Sequence, residues 1–186
     1  IDEIQNNNKN IPILNVIDPC VEEAIKLTKT GNIAIIGTEN TIQSRAYPKK
    51  IKMLNENIKI ISKPCPLFVP MIEEGLMHHG FSEDIIKYYL DEIINSNIDI
   101  LILGCTHYPI FSKQIKKFIG NDITLVDSAT ITAKKTKSFF QEKHLMSSIT
   151  EKQKDEFYVS DQPTKFDSLA QLFLNIRNLN ATQIIL

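Results

Sequence analysis

Short apolar runs alternate along this chain with longer stretches in which apolar residues return every three or four positions, the pattern of strands alternating with amphipathic helices. Ile11 to Ile17 (IPILNVI) reads as a buried strand, closed by Asp18 and Pro19, which also suit the N-cap and first turn of a helix. A helix from about Cys20 to Lys29 follows, with Val21, Ala24, Ile25 and Thr28 on one face and Gly31 closing it. NIAIIG, ending at Gly37, is the next strand; a helix over Ser44 to Leu54 and a strand over residues 58 to 62 come after it. Pro64 to Pro70 (PCPLFVP) is too rich in proline for a regular strand. Ser82 to Ser96 is the clearest helix: Ser82 stands as N-cap, and Ile85, Ile86, Tyr89, Leu90, Ile93 and Ile94 are spaced to bury one face. Ile98 to Leu103 is a strand, Ile110 to Ile119 a helix ended by Gly120, Ile123 to Val126 a strand, and Ser128 to His144 a helix. The theme closes with a strand from Glu156 to Val159 and a helix from Pro163 to Leu174, while residues 5 to 10 (QNNNKN) read as a polar loop. The alternation predicts an α/β fold with a mostly parallel sheet, which binds ligands beyond the carboxyl ends of its strands.

Composition narrows the field. With 186 residues, 42% hydrophobic and 23% charged, the chain can fold around one core or two small ones. Its net charge of -1 gives no basic surplus of the kind that nucleic acid or an anionic membrane attracts, so a small molecule is the expected partner. Three cysteines, an odd number without a CxxC pair, argue against a disulfide framework and fit a reducing, cytoplasmic setting. The first residues have neither a basic nor an apolar signal-like region, and no run approaches a membrane span of about 18 apolar residues. Residue 1 is not methionine, which suggests that it is not the natural beginning.

Two strand-to-loop turns look alike: IAIIGT and LILGCT. Each delivers small hydroxyl or thiol side chains to the place where a parallel sheet presents its ligands. In the second, Gly104 lets backbone approach closely, and Cys105 leaves the sheet just before the helix of 110 to 119, whose amides and dipole are expected to lower its pKa. His107 could give a hydrogen bond or a charge to a bound carboxylate. A free cysteine by itself is more often a buried small hydrophobe. Thr106 and His107 beside it weigh the other way, being a poor choice for core packing. Glu73, reached through the apolar PCPLFVP loop, is a carboxylate placed to orient a histidine, whereas Glu74 reads as solvated surface. Cys20 and Cys65 read as structural, and His78 and His79 lack a third ligand for a metal. His144 suits a helix C-terminus, and the lysines of KQIKK and AKKTK read as solvated helix faces.

Taken together, GCTHYP at 104 to 109, CPLFVPMIEEG at 65 to 75, IGTENTIQSRAY at 36 to 47 and VIDP at 16 to 19 resemble the glutamate racemases, in order and in spacing, from about residue 11 onward. GCTHYP is the sharpest element, because the related aspartate racemases usually carry a glutamate at the position of His107. The resemblance implies two facing α/β domains, a glutamate substrate in the cleft between them, and no cofactor or metal. It also implies a two-base reaction in which one cysteine removes the α-proton and another protonates the opposite face. On that footing Cys105 is the second of the two bases, acting on the L enantiomer; Thr106 and His107 bind substrate and assist proton transfer; Glu73 holds or acidifies His107; and Thr38 and Thr41 contact the amino acid.

The family's amino-terminal portion, with its first cysteine, has no counterpart in these residues. The resemblance then divides the chain into residues 1 to 16, a remnant of the first domain, residues 17 to 127, the second domain, and residues 128 to 186, the returning segment of an incomplete first domain. Such a chain is expected to leave apolar surface exposed and to favour association, a homodimer being one form. The principal reading is a glutamate racemase serving peptidoglycan synthesis, with little or no racemisation expected from this chain alone. The alternatives are a catalytically inactive remnant or glutamate-binding module, and a superfamily member acting on a different acidic or cyclic substrate.

Overall fold

The structure is a computed structural model describing residues 2–8, 11–148, 155–175 and 179–185. It divides into two compact units, Ile1–Leu145 and Met146–Leu186.

In the larger unit four parallel strands lie in the order β2-β1-β3-β4: β1 (Asn32–Gly37), β2 (Lys59–Pro64), β3 (Ile100–Leu103) and β4 (Thr124–Asp127). Register is set by Ile36 opposite both Lys63 and Leu103, and by Leu103 opposite Asp127. The near-continuous apolar runs of β1 and β3 follow from burial on both faces. Alternation along each strand sorts the side chains into two cores. Ala34, Ile36, Leu101 and Leu103 face a cluster with Phe68, Leu90, Tyr108, Phe111 and Ile115. Ile33, Ile35, Ile100, Ile102 and Val126 face a second, with Cys20, Val21, Ala24, Tyr47 and Ile51. The first cluster is roofed by α5 (Phe68–Glu73), α6 (Ser82–Ile94) and α7 (Ser112–Ile119), the second by α2 (Ile17–Leu27) and α4 (Ala46–Leu54). Helix α8 (Ser128–Glu142) packs on α2, and Ile131 reaches the second core.

The expected α/β fold with a parallel sheet is found, with corrections at the element level. Residues 11–15 form no strand: Ile17 already begins α2, whose first amides, at Ile17 and Asp18, donate to Asn15 Oδ1 at 3.0 and 2.8 Å. Asp18 is therefore inside the helix rather than its cap, where it pairs with Lys50 at 3.0 Å. The polar start is not all loop, since α1 spans Asp2–Asn7; residues 9 and 10 lie outside the described residues. The helix expected over Ser44 to Leu54 is found as α4, and a short helix that was not expected, α3 (Glu39–Ser44), precedes it, the two meeting at Arg45 with φ 55°. The proline-rich segment is more regular than expected. Pro64 ends β2 opposite Gly37, and Pro70 falls in the first turn of α5, where an amide would have no helical partner. Phe81, not Ser82, precedes α6 as its cap; Ser82 is buried. A 3₁₀ turn, Tyr108–Phe111, stands where helix was expected, so α7 is confined to Ser112–Ile119.

The smaller unit contains α9 (Pro163–Leu174), as expected, and a two-stranded parallel sheet of β5 (Tyr158–Val159) and β6 (Thr182–Gln183), the second of which no sequence pattern announced. Asp167 ties the unit together by accepting the amide of Ala181 at 2.8 Å.

Candidate functional site

The chain leaves β1 toward the α4 face and leaves β3 toward the α7 face, so the two exit loops part between adjacent strands. That parting is the switch point of an open parallel sheet, where a crevice forms without further design. Thr38 follows β1 directly and caps α3: its hydroxyl accepts the Thr41 amide at 3.3 Å and lies 3.0 Å from the Thr41 hydroxyl. Gly37 belongs to this arrangement, because a Cβ there would come within 3.1 Å of the Thr41 side chain.

On the neighbouring strand, Gly104 has the same purpose with less room. Its amide donates to Ile36 O at 2.8 Å, and a Cβ would sit 3.0 Å from that oxygen and 3.2 Å from the Tyr47 ring. Cys105 follows, half-buried. Thr106 is exposed, and its hydroxyl is 3.5 Å from His107 Nδ1. His107 Nε2 lies 3.3 Å from Glu73 Oε1, on the last residue of α5. Both partners of that pair are half-buried, while Glu74 is exposed as expected.

Tyr108 holds this geometry together. It is fully buried, its hydroxyl donates to the Cys65 carbonyl at 2.8 Å, and its ring meets Phe68 edge-on with centroids 5.3 Å apart. The loop after β2, which leads into α5 and Glu73, is thereby tied to the loop after β3, which carries Cys105 and His107. The position of Tyr108 within GCTHYP does not by itself announce this task. An aromatic residue bearing one polar group, next to a strand end, is the signal that could have found it.

The three thiols differ. Cys20 and Cys65 are fully buried, and burial pushes each up to about 12, the carboxylate of Asp127 adding to the effect at Cys20. Cys105 also lies above the ordinary thiol value, because partial burial outweighs the hydrogen bonds that the His107 and Tyr108 amides give it. The lowered pKa expected from the following helix is not found: the 3₁₀ turn intervenes, and desolvation dominates. Among the described residues no cluster of three or more His, Cys, Asp or Glu side chains is placed to hold a metal ion. His78 instead sits 3.3 Å from Gln114.

Residues 1–136 match the family model of the Asp/Glu/hydantoin racemases. The chain belongs to that family. Among curated members it is 38% identical to the glutamate racemase of Chlorobaculum tepidum over 174 residues, covering 94% of this chain and 64% of the relative. Among solved members, a glutamate racemase isoform of Bacillus anthracis superposes with a TM-score of 0.89 at 32% identity, covering 99% of this chain and 68% of that one. The family's enzyme from Francisella tularensis, solved in complex with D-glutamate, superposes with a TM-score of 0.85 at 36% identity, covering 100% and 67%. The chain spans about three fifths of the length of the curated glutamate racemases it matches. All six residues singled out from the sequence, Thr38, Thr41, Glu73, Cys105, Thr106 and His107, fall within the stretch that matches the family model.

Proposed function

We propose that the protein is a glutamate racemase, interconverting L- and D-glutamate in the cytoplasm for peptidoglycan synthesis, without a cofactor. The observation that carries this reading is the convergence of Cys105, the His107–Glu73 pair and the Thr38–Thr41 pair at adjacent strand ends, within a racemase-family chain. The absence of a membrane-spanning helix among the described residues accords with a water-borne substrate.

In the proposed reaction the Cys105 thiolate takes the α-proton of L-glutamate, becoming a thiol and leaving a carbanion stabilised as the enolate of the α-carboxylate. A second acid then protonates the opposite face, since a lone base returns the proton to the side it left. Thr106 and His107 hold the substrate, His107 assisted by Glu73, and Thr38 and Thr41 receive its polar groups. Residues 17 to 127 are the second racemase domain, residues 1 to 16 a remnant of the first, and residues 128 to 186 its returning segment. Exposed Tyr158, Phe173 and Ile185 suit association, for which a homodimer is the simplest closed form.

One observation favours a second reading, a glutamate-binding module with little turnover: of the three thiols, Cys105 alone is even partly open to solvent. Incubating the chain with L- or D-glutamate in D2O separates the two. A racemase incorporates deuterium at the α-carbon, and Cys105→Ser lowers the rate by at least about 100-fold. Glutamate binding by calorimetry with no exchange selects the module, and exchange that survives Cys105→Ser removes the thiol from the mechanism.

A further inference from the structure

Glu73 reaches His107 from α5, a helix of only six residues, and isolated helices shorter than about 12–15 residues are marginal in water. Its placement therefore comes from what holds the two ends of α5. At the start, the Tyr108 hydroxyl donates to the Cys65 carbonyl. At the far end the chain turns at Gly75, φ +69°, where no atom lies within 4 Å of the place a Cβ would take, so no packing steadies the turn. The next tie is in the 3₁₀ turn Leu76–His78: Gln114 of α7 donates from Nε2 to the Met77 carbonyl at 3.5 Å and lies 3.3 Å from His78 Nδ1. Tyr108 and Gln114 both follow His107 in the chain, so the segment that carries the histidine grips α5 from either end.

The orientation of the amide shows which end of Gln114 matters. Turned the other way, Oε1 would face the Met77 carbonyl, oxygen against oxygen, so the nitrogen points there. Oε1 is then buried with no hydrogen-bond partner among the described residues, a cost that an apolar side chain of the same length would avoid. Close packing does not fix the residue either, since with Ile86 and Phe118 it lines a cavity of about 220 Å³. What remains are its two contacts on the segment that follows Glu73. We propose that Gln114 is a positioning residue for the Glu73–His107 pair, acting through Met77 and His78 rather than on a substrate, and keeping the carboxylate within reach of His107 Nε2. What the pair does rests on the racemase reading; how it is held is a matter of geometry alone.

The test is the ring signal of His107 in proton–carbon NMR of the full chain at one fixed pH, assigned as the signal missing from His107→Asn and compared among the parent, Glu73→Gln and Gln114→Met. Glu73→Gln sets the scale, as the shift produced when the carboxylate is lost. Methionine keeps the length of glutamine and removes the orphaned oxygen, so the urea midpoint of Gln114→Met stays at or above that of the parent. Its His107 signal nevertheless moves at least about halfway to that of Glu73→Gln. His78→Phe, a change at an exposed side chain, moves the signal less but in the same direction, since Met77 keeps its donor. An unmoved signal in Gln114→Met, whatever its midpoint, overturns the proposal; should that variant unfold, His78→Phe decides in its place. A signal unmoved in Glu73→Gln also overturns it, because there is then no pair to position. None of these readings depends on turnover, so a chain that exchanges no α-proton of glutamate can still uphold the proposal, and one that does can still overturn it.

Discussion

Cys105 is set apart from the other two thiols by access, and its chemistry follows from its surroundings. Thiolate is the reactive form, and burial holds this thiol above its ordinary range while two amides partly compensate. Iodoacetamide should therefore modify Cys105 in the folded chain and leave Cys20 and Cys65 untouched, as peptide mass mapping would show. Its rate at neutral pH should fall below that of an unstructured cysteine peptide and keep rising with pH beyond the peptide's midpoint. A rate that levels off near neutrality would mean that the amides, not desolvation, govern the sulfur. Tyr108 offers a second test at this scale. Tyr108→Phe keeps the ring but leaves the Cys65 carbonyl without its donor, at a cost of about 1–2 kcal/mol in urea unfolding. Because phenylalanine keeps the backbone amide that serves Cys105, the alkylation profile of this variant should stay at the pH of the parent.

Elements are held in register by contacts that tolerate little change. Gly104 lies so close to the Ile36 carbonyl and the Tyr47 ring that Gly104→Ala must push β3 from β1 or displace the ring. Overpacking of this kind costs about 1–3 kcal/mol, readable as a lowered urea midpoint. At the opposite end of the sheet, Asp99 accepts the Thr28 hydroxyl at 2.6 Å and the Thr30 amide at 2.8 Å, fastening the turn between α2 and β1 to the start of β3. Burial alone would push this carboxyl up, but the hydrogen bonds from Thr28, Thr30 and Lys29 outweigh it and hold it below the usual value. A depressed carboxyl contributes stability that is complete above its unfolded value of about 3.9 and is lost as pH falls through the lower, folded value. Asp99→Asn should thus cost about 1 kcal/mol at pH 7 and flatten the fall in stability below about pH 4, when melting is followed against pH.

At the scale of the molecule, both apolar cores are assembled within the larger unit, from residues between Ile17 and Ile131. A chain ending at Leu145 should accordingly fold on its own, unfold in one cooperative step and keep the labelling pattern of its cysteines. A broad transition without native-like circular dichroism would show that residues beyond 145 are needed for the core. The cluster at the sheet's switch point belongs to this unit, so the shorter chain would also preserve it for assay.

Periodicity alone determined the alternation of strand and helix, and with it the parallel sheet and the end of the sheet at which Cys105, His107 and the two threonines would lie. This much is local: two-sided burial writes unbroken apolar runs, and one-sided burial writes a stripe of period 3.6. Folding decided the rest. Ile11–Ile17 is apolar enough for a strand, yet it finds no partner in the sheet, and Asn15 turns its end into a helix start. Arg45 adopts a left-handed backbone within the stretch that reads as the helix Ser44 to Leu54, so α4 starts only at Ala46. The placement of Glu73 against His107, 34 residues away in sequence, rests on a tyrosine hydroxyl meeting a carbonyl across two loops. Desolvation of the thiol depends on what packs around it, so its sign could not be read from the helix that follows. Such effects depend on distances between atoms remote in sequence, which no pattern along a chain encodes.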